Sequence, residues 1–245
     1  MRDPFRLDGR RALVTGANTG IGQAIAVSLA RAGAEVGCAA RRDADETLER
    51  IAALGAKGHG VPLDLSDPMA AGPVLEQGGY DILVNNAGII RRADSLDFTE
   101  SDWDAVMDVN LKAVFFTSQA FARALGGRAG AIVNIASLLS FQGGIRVPSY
   151  TASKHGVAGL TKVLANEWAS KGVNVNAIAP GYIATNNTEA LRADPDRNRA
   201  ILDRIPAGRW GDPQDIAETA VFLCSPAAGY INGAVLNVDG GWLAR

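Results

Sequence analysis

Residues 15–22 read TGANTGIG, and this stretch decides how the rest of the chain is interpreted. An apolar run, RALVT at 11–15, precedes it, and an alanine-rich run with helical character over 22–32 follows it. Glycines at 16, 20 and 22 allow a tight turn, close approach of the main chain to a ligand, and close packing of the helix. The stretch therefore predicts a strand–turn–helix unit that binds a pyrophosphate at the helix N-terminus. The alternative, a tight turn without a ligand, fits this context less well.

Strand-like and helix-like runs alternate along the whole chain. This order predicts an α/β fold: a single Rossmann-type, doubly wound parallel sheet of about seven strands flanked by helices. We expect one dinucleotide-binding catalytic domain over residues 1–245, with a loop-rich substrate lid at 180–208 that contains a helix. Strands are predicted over 11–15, 35–40, 60–62, 81–85, 130–135, 173–178 and 234–238. Helices are predicted over 22–32, 44–54, 68–76, 100–125, 150–170 and 213–223.

Composition narrows the classes of function. The chain has 245 residues, a net charge of -2, and no basic run longer than two residues, which argues against a nucleic-acid partner. No apolar leader or stretch of membrane-spanning length occurs, so we expect no membrane insertion. Cys38 and Cys224 lie in apolar runs without metal-ligand spacing. This pattern indicates a reduced, cytoplasmic setting and no bound metal.

The second predicted strand ends in AARR at 39–42, without the acidic residue that binds an adenosine ribose hydroxyl. Arg41 could bind a 2′-phosphate there, which favours NADP(H). The alternative is a solvated arginine pair at a strand end. Asp64, after the third strand, could contact the adenine edge or could be an ordinary turn or helix-capping residue.

A second group of residues has the chemistry of proton transfer. Tyr150 and Lys154 are four apart on one helix face. Lowering a tyrosine pKa from about 10 to about 7 takes roughly 4 kcal/mol, which a lysine ammonium and an oxidised nicotinamide could largely supply. Ser137 ends the fifth strand, where its hydroxyl could orient a reacting oxygen. Asn110 is a poor helix former inside the long predicted helix, where it could hold a water or bend the helix.

Together these motifs resemble the short-chain dehydrogenase/reductase family over essentially the whole chain. The glycine-rich stretch resembles its cofactor loop, NNAG at 85–88 its sheet-stabilising motif, and PG at 180–181 the turn beside the nicotinamide. The set Asn110, Ser137, Tyr150 and Lys154 resembles its catalytic tetrad. The resemblance implies hydride transfer without a metal, and a homotetramer assembled through the helices at 100–125 and 150–170 and the C-terminal segment.

The resemblance also implies a role for each residue. Tyr150 exchanges the proton, Lys154 lowers its pKa and binds the nicotinamide ribose, Ser137 holds the substrate oxygen, and Asn110 anchors a water. The cofactor residues expected from the loop and the resemblance are Gly16, Asn18, Thr19, Gly20, Ile21, Gly22, Arg41, Asp64, Leu65, Asn86, Ala87, Gly88, Tyr150, Lys154, Pro180, Gly181, Ile183 and Thr185.

Within the family, FQGGIRVPSYTASK at 141–154 and the ending VDGGWLAR at 238–245 resemble members that act on deoxy keto-sugar acids of the 2-dehydro-3-deoxy-D-gluconate type. Such members belong to hexuronate catabolism from pectin or alginate, and this closer resemblance favours NAD(H) over NADP(H).

A small anionic sugar acid needs cations and aimed donors. The candidates are Gln142, Arg146, one of Arg91 and Arg92, and Asn186; the alternative for the arginines is salt bridging. Two other functions stay open: reduction of another carbonyl, such as a carrier-bound 3-oxoacyl chain, and a dinucleotide-binding module without catalysis.

Overall fold

The computed structural model describes residues 3–245, and its centre is a seven-stranded sheet in the order β3-β2-β1-β4-β5-β6-β7. All neighbouring strands are parallel. The predicted domain also includes residues 1 and 2, which lie outside the described residues. The strands are β1 (Arg11–Thr15), β2 (Glu35–Ala40), β3 (Gly58–Pro62), β4 (Ile82–Asn85), β5 (Gly130–Ile135), β6 (Val173–Pro180) and β7 (Val235–Val238).

Helices cover both faces of the sheet, so the predicted doubly wound α/β architecture is confirmed. They are α1 (Gly20–Arg31), α2 (Asp45–Ala53), α3 (Ala71–Gly78), α4 (Glu100–Met107), α5 (Ala113–Leu125), α6 (Pro148–Trp168), α7 (Glu189–Ala193), α8 (Pro195–Leu202) and α9 (Pro213–Cys224). One core lies between the sheet and helices α1, α2 and α9, and a second between the sheet and helices α3, α5 and α6. No helix within residues 3–245 has both the length and the apolar character needed to cross a bilayer.

Alternate residues of the central strands explain these two cores. On β1, Ala12 and Val14 pack into the first core, whereas Leu13 packs into the second. On β4, Ile82 belongs to the first core and Leu83 to the second. Successive side chains of a strand point to opposite faces, so an unbroken apolar run is suited to a sheet covered on both sides.

The predicted helix over 100–125 differs from the structure, because a π-helical turn at Asp108–Lys112 separates α4 from α5. Such turns inside α-helices are often found at functional sites. The turn centres on Asn110, the residue whose low helix propensity suggested a local bend.

The segment 180–208 also differs, because it contains two short helices and a 3₁₀ turn instead of the one predicted helix. A new helix, α8, starts after Asp194, whose carboxylate accepts hydrogen bonds from the main-chain N–H groups of Asp196 and Arg197. The base of the segment is closed by main-chain hydrogen bonds from Gly211 to Tyr182 (2.9 Å) and from Ala184 to Gly211 (2.8 Å).

Candidate active site

The loop between β1 and α1 forms an open cradle of main-chain amides. Gly16 and Gly20 have φ values of 65° and 57°, in the left-handed region that favours glycine. A Cβ on Gly22 would lie 2.1 Å from the Gly16 carbonyl oxygen, so only glycine allows this packing. Helix α1 has no side-chain cap from Thr19 and no acidic residue in its first turn, whereas Asp212 caps α9. The α1 N-terminus is therefore free to bind an anion, as the pyrophosphate of a dinucleotide requires.

The NNAG loop after β4 holds this cradle in place. Asn86 Nδ2 donates to the carbonyl oxygens of Thr15 at 2.9 Å and Gly16 at 3.1 Å. The Thr15 hydroxyl in turn accepts from the main-chain N–H groups of Asn86 and Ala87, each at 3.0 Å. Because β1 and β4 are neighbours where the strand order reverses, these bonds fix the crevice in which doubly wound folds bind ligands. Three other residues are predicted to bind the cofactor: Asn18 lies in the turn before α1, Ile21 in the first turn of α1, and Gly88 in the loop after β4.

The ends of β2 and β3 bring a cation and a carboxylate together. Ala40 pairs with Pro62 in the sheet, which places Arg41 beside Asp64 and the buried Leu65. Hydrogen bonds from Ser66 lower the pKa of Asp64, and the nearby Arg41 charge contributes to this lowering. Arg41 is exposed, so its guanidinium is accessible to a phosphate in solution.

The segment after β6 lies opposite the cradle. A Cβ on Gly20 would lie 3.5 Å from Thr185 Cγ2, so the predicted cofactor residues of the two loops meet. Pro180 ends β6, and a Cβ on Gly181 would lie 2.6 Å from the Asp239 Cα, so this turn also needs glycine. Ile183 is buried and forms an isolated bridge with Gly211.

Lys154 carries a buried ammonium group. Its side chain is 5% exposed, and its Nζ donates to the Ile135 carbonyl oxygen at 2.6 Å and lies 5.5 Å from the Tyr150 ring centroid. Burial lowers the pKa of Lys154 to about 8. The predicted proximity of the two side chains is therefore present, because residues i and i+4 share a face of α6.

Tyr150 lies in the first turn of α6. Burial raises the pKa of its phenol, while the Ser137 hydroxyl and the Arg92 charge oppose that shift. The expected lowering of the phenol pKa is thus absent in the chain by itself, since burial outweighs both groups. Ser137 Oγ accepts from Leu139 N at 3.1 Å and hydrogen-bonds the Tyr150 phenol, so its hydrogen can pass to a substrate oxygen that enters beside Tyr150.

Asn110 is fully buried in the π-helical turn and holds the loop after β4. Its Oδ1 accepts from Ile89 N at 2.8 Å, and its Nδ2 donates to the Ile89 carbonyl oxygen at 2.9 Å. The same Nδ2 lies 3.5 Å from Ser153 Oγ on α6. The side chain thus joins the Ile89 loop to the helix that carries Tyr150.

The two arginines after this loop have different surroundings. Arg91 Nε pairs with Asp102 Oδ1 at 3.1 Å, which is the salt-bridging alternative considered for it. Arg92 acts on the Tyr150 phenol through its charge. Arg146 has a φ of 64°, and its carbonyl oxygen accepts from Ala93 N at 3.2 Å. The loops that carry Arg92 and Arg146 are therefore joined by their main chains.

The remaining substrate candidates are Gln142 and Asn186. Gln142 Oε1 accepts from Trp242 Nε1 at 3.3 Å. Asn186 is exposed in a 3₁₀ turn capped by Thr185 and Thr188. Within the described residues no cluster of three or more His, Cys, Asp or Glu side chains could hold a metal ion.

Two residues at this site carry no local sequence signal. Arg192 Nη2 donates to the Thr185 carbonyl oxygen at 3.2 Å and so supports the turn expected beside the nicotinamide. Trp242 is 4% exposed and reaches Gln142 from a position 100 residues later in the chain. Neither contact follows from a motif, because both depend on how distant segments pack.

Comparisons with known proteins agree with this geometry. The family described as enoyl-(acyl carrier protein) reductase matches residues 16–243. The 2-dehydro-3-deoxy-D-gluconate 5-dehydrogenase of Dickeya dadantii is 56% identical over 98% of this chain and 98% of its own length. The enzyme of that name from Bacillus subtilis is 54% identical over 100% of this chain and 99% of its own.

Among solved structures, a crystal structure from Agrobacterium tumefaciens with bound NADP, described as that of a proposed 2-deoxy-D-gluconate 3-dehydrogenase, superposes with a TM-score of 0.99 at 72% identity and full coverage of both chains. The family resemblance predicted from the motifs is thereby confirmed: the chain belongs to the short-chain dehydrogenase/reductase family of oxidoreductases.

Proposed function

We propose that the protein is an NAD(P)-dependent oxidoreductase that interconverts a ketone and an alcohol of a deoxy keto-sugar acid of the 2-dehydro-3-deoxy-D-gluconate type. The observation that carries the substrate class is the hydrogen bond from Ala93 N to the Arg146 carbonyl oxygen at 3.2 Å, which joins the loop of Arg92 to the loop that leads into the helix of Tyr150. The Arg92 charge also opposes the rise of the Tyr150 pKa. A cation at the reacting end of the site suits an anionic substrate. Relatives at 56% and 54% identity carry the name of this activity.

The chain's own residues supply acid–base chemistry. The nicotinamide, when bound, gives or accepts the hydride. Because burial raises the pKa of Tyr150, the phenol is protonated at neutral pH and can donate its proton to the carbonyl oxygen during reduction. Ser137 donates a hydrogen bond to the same oxygen and orients it. Lys154, held by the Ile135 carbonyl oxygen, supplies a cation beside the phenol and a donor for the nicotinamide ribose.

The main-chain cradle and the residues around it form the proposed cofactor site. Gly16–Gly22 amides would bind the pyrophosphate, Asp64 and Leu65 the adenine end, and Pro180–Thr185 the nicotinamide side. We propose NADP(H) over NAD(H), because Arg41 is exposed and residues 39–42 contain no carboxylate. Arg146, Gln142 and Asn186 complete the proposed substrate pocket, with 180–208 as its lid.

The wider setting stays a proposal as well. An apolar face formed by residues of α4, α5, α6 and the π turn, including Phe115, Phe116, Leu160 and Val163, supports assembly into a homotetramer. The unpaired, buried Cys38 and Cys224 are consistent with a reduced, cytoplasmic environment. We place the enzyme in hexuronate catabolism and expect no nucleic-acid partner.

The test measures initial rates of nucleotide reduction with 2-dehydro-3-deoxy-D-gluconate, using NAD⁺ and NADP⁺ separately. We expect turnover, with NADP⁺ preferred and its KM raised by Arg41→Ala while the KM for NAD⁺ stays unchanged. Tyr150→Phe should lose turnover yet still bind the dinucleotide. Oxidation of NADPH with a carrier-bound 3-oxoacyl chain, without turnover of the sugar acid, would contradict the substrate class. Dinucleotide binding without any turnover would favour a non-catalytic module.

A further inference from the structure

The C-terminal residues 239–245 lie between the lid and the loop that leads to α6. The Gly240 carbonyl oxygen accepts from Ala207 N at 3.0 Å, and Arg245 Nη2 donates to the Asp203 carbonyl oxygen at 2.8 Å. These two bonds tie the chain end to the last part of the lid. On its other side the segment reaches the loop before α6, where Trp242 donates a hydrogen bond to Gln142.

Trp242 is 4% exposed and contacts three parts of the site. Its ring centroid lies 4.7 Å from that of Tyr182 at the start of the lid. The Arg204 guanidinium carbon, near the end of the lid, lies 4.0 Å from the Trp242 ring centroid. Its Nε1 donates to Gln142 Oε1 at 3.3 Å. One buried ring thus connects both ends of the lid with a residue five positions after Ser137.

The chemistry of this hydrogen bond fixes the Gln142 side chain. An indole N–H can only donate, so the partner atom in the Gln142 amide must be its oxygen. The amide NH2 group is left over, and it makes no hydrogen bond to any of residues 3–245. As long as Trp242 holds this oxygen, the orientation of the amide is fixed and its NH2 group remains to donate to a ligand.

We propose that Trp242 is a positioning residue that holds the Gln142 amide so that its NH2 group donates to an oxygen of the sugar-acid substrate. The inference rests on the proposed function and deepens it. A fixed donor complements the acceptor oxygens of a carboxylate, as does the cation of Arg92. Without the indole N–H, the amide can rotate and present its oxygen, which repels a carboxylate.

The test compares KM and kcat of variants for the sugar acid and for a neutral hydroxyketone. Trp242→Phe keeps an aromatic ring but loses the donor, and we expect a KM for the acid about 3- to 10-fold higher with kcat nearly unchanged. Gln142→Ala should raise the same KM about tenfold. The double variant should be no worse than Gln142→Ala alone, because Trp242 acts through Gln142. The KM for the neutral ketone should change less than twofold in all three.

Trp210→Phe is the matched control, because Trp210 packs edge-on against Tyr182 but donates to Asn198 inside the lid segment. It should leave the KM for the acid within about twofold of wild type. Gln142→Glu is a second test that leaves Trp242 in place. The new carboxylate still accepts from Trp242, but it offers an acceptor where the amide offers a donor, so the KM for the acid should rise more than in Gln142→Ala.

Three results would overturn the proposal: independent, multiplying effects of the Trp242 and Gln142 variants, an equal effect of Trp210→Phe, or a Gln142→Glu variant with wild-type KM. The last result decides the matter even where Trp242→Phe does not fold. If the wild-type protein does not turn over the sugar acid, both the proposed function and this inference fail. If the wild type turns over the acid but the two variants have independent effects on the KM, this inference alone fails.

Discussion

Lys154 holds a charge that the interior of the protein disfavours, and Lys154→Met tests how large that penalty is. Burial lowers its pKa from 10.5 to about 8. A shift of about 2.5 pH units corresponds to about 3 kcal/mol of destabilisation while the ammonium is charged. The hydrogen bond to the Ile135 carbonyl oxygen offsets about 2 kcal/mol. Methionine has a similar volume, so we expect the variant to be about 1 kcal/mol more stable at pH 7.

The difference in stability between wild type and Lys154→Met must change sign as the pH rises. Between the folded pKa of about 8 and the unfolded value of 10.5, the unfolded chain binds a proton that the folded chain does not. Wild-type stability therefore rises through this window by about 1.4 kcal/mol per pH unit, and the variant lacks this gain. At pH 9.5 we expect the variant to be about 1 kcal/mol less stable than wild type, and to have lost activity by about 10²–10⁴-fold at either pH.

The assay is urea unfolding at pH 7 and pH 9.5, at one protein concentration, for wild type, Lys154→Met and Lys162→Met. Lys162 lies on the same helix but is exposed, so its variant should differ from wild type by the same small amount at both pH values. A difference between wild type and Lys154→Met that does not change with pH would refute the reasoning, because it would mean that the ammonium has an ordinary pKa.

Other predictions concern the neighbouring loops. Arg146→Gly should be about 1 kcal/mol more stable in thermal unfolding than Arg146→Ala, because φ is 64° there, while both variants raise the KM for the sugar acid; equal stability would contradict this. Asn110→Ala leaves the Ile89 N–H and carbonyl without their partner and should cost about 1–3 kcal/mol in urea unfolding. The rate of alcohol oxidation should increase with pH as Tyr150 loses its proton. Arg92→Ala should shift this increase to a higher pH, because the Arg92 charge lowers the pKa of Tyr150. An unchanged pH profile would contradict this effect of Arg92.

The fold could be predicted because its signals are local. Apolar strands such as β4 and β5 are buried on both faces and alternate with helices, so order along the chain is enough to give a parallel sheet. The interruption at Asp108–Lys112 could not be located as a π turn, because it depends on the tertiary bonds between Asn110 and Ile89. The start of α8 was missed although Asp194 and Pro195 form an ordinary N-terminal signal.

The site residues also fall into two groups, those that local spacing places and those that tertiary contacts place. Tyr150 and Lys154 share a helix, and the cradle is one continuous stretch, so spacing alone brings their atoms together. The arginines do not follow from spacing: Arg91 and Arg92 are adjacent, and only the position of Asp102 separates the salt-bridged one from the one that acts on Tyr150.

The charges around Tyr150 connect substrate binding to its chemistry. Lys154 has a pKa of about 8 and loses its charge in mildly alkaline solution, whereas a guanidinium stays protonated throughout that range. Arg92 is therefore the permanent cation that acts on the phenol. If Arg92 also binds the substrate carboxylate, that carboxylate neutralises the charge that lowers the phenol pKa. A bound sugar acid then keeps Tyr150 protonated, which favours proton donation to a ketone over proton removal from an alcohol.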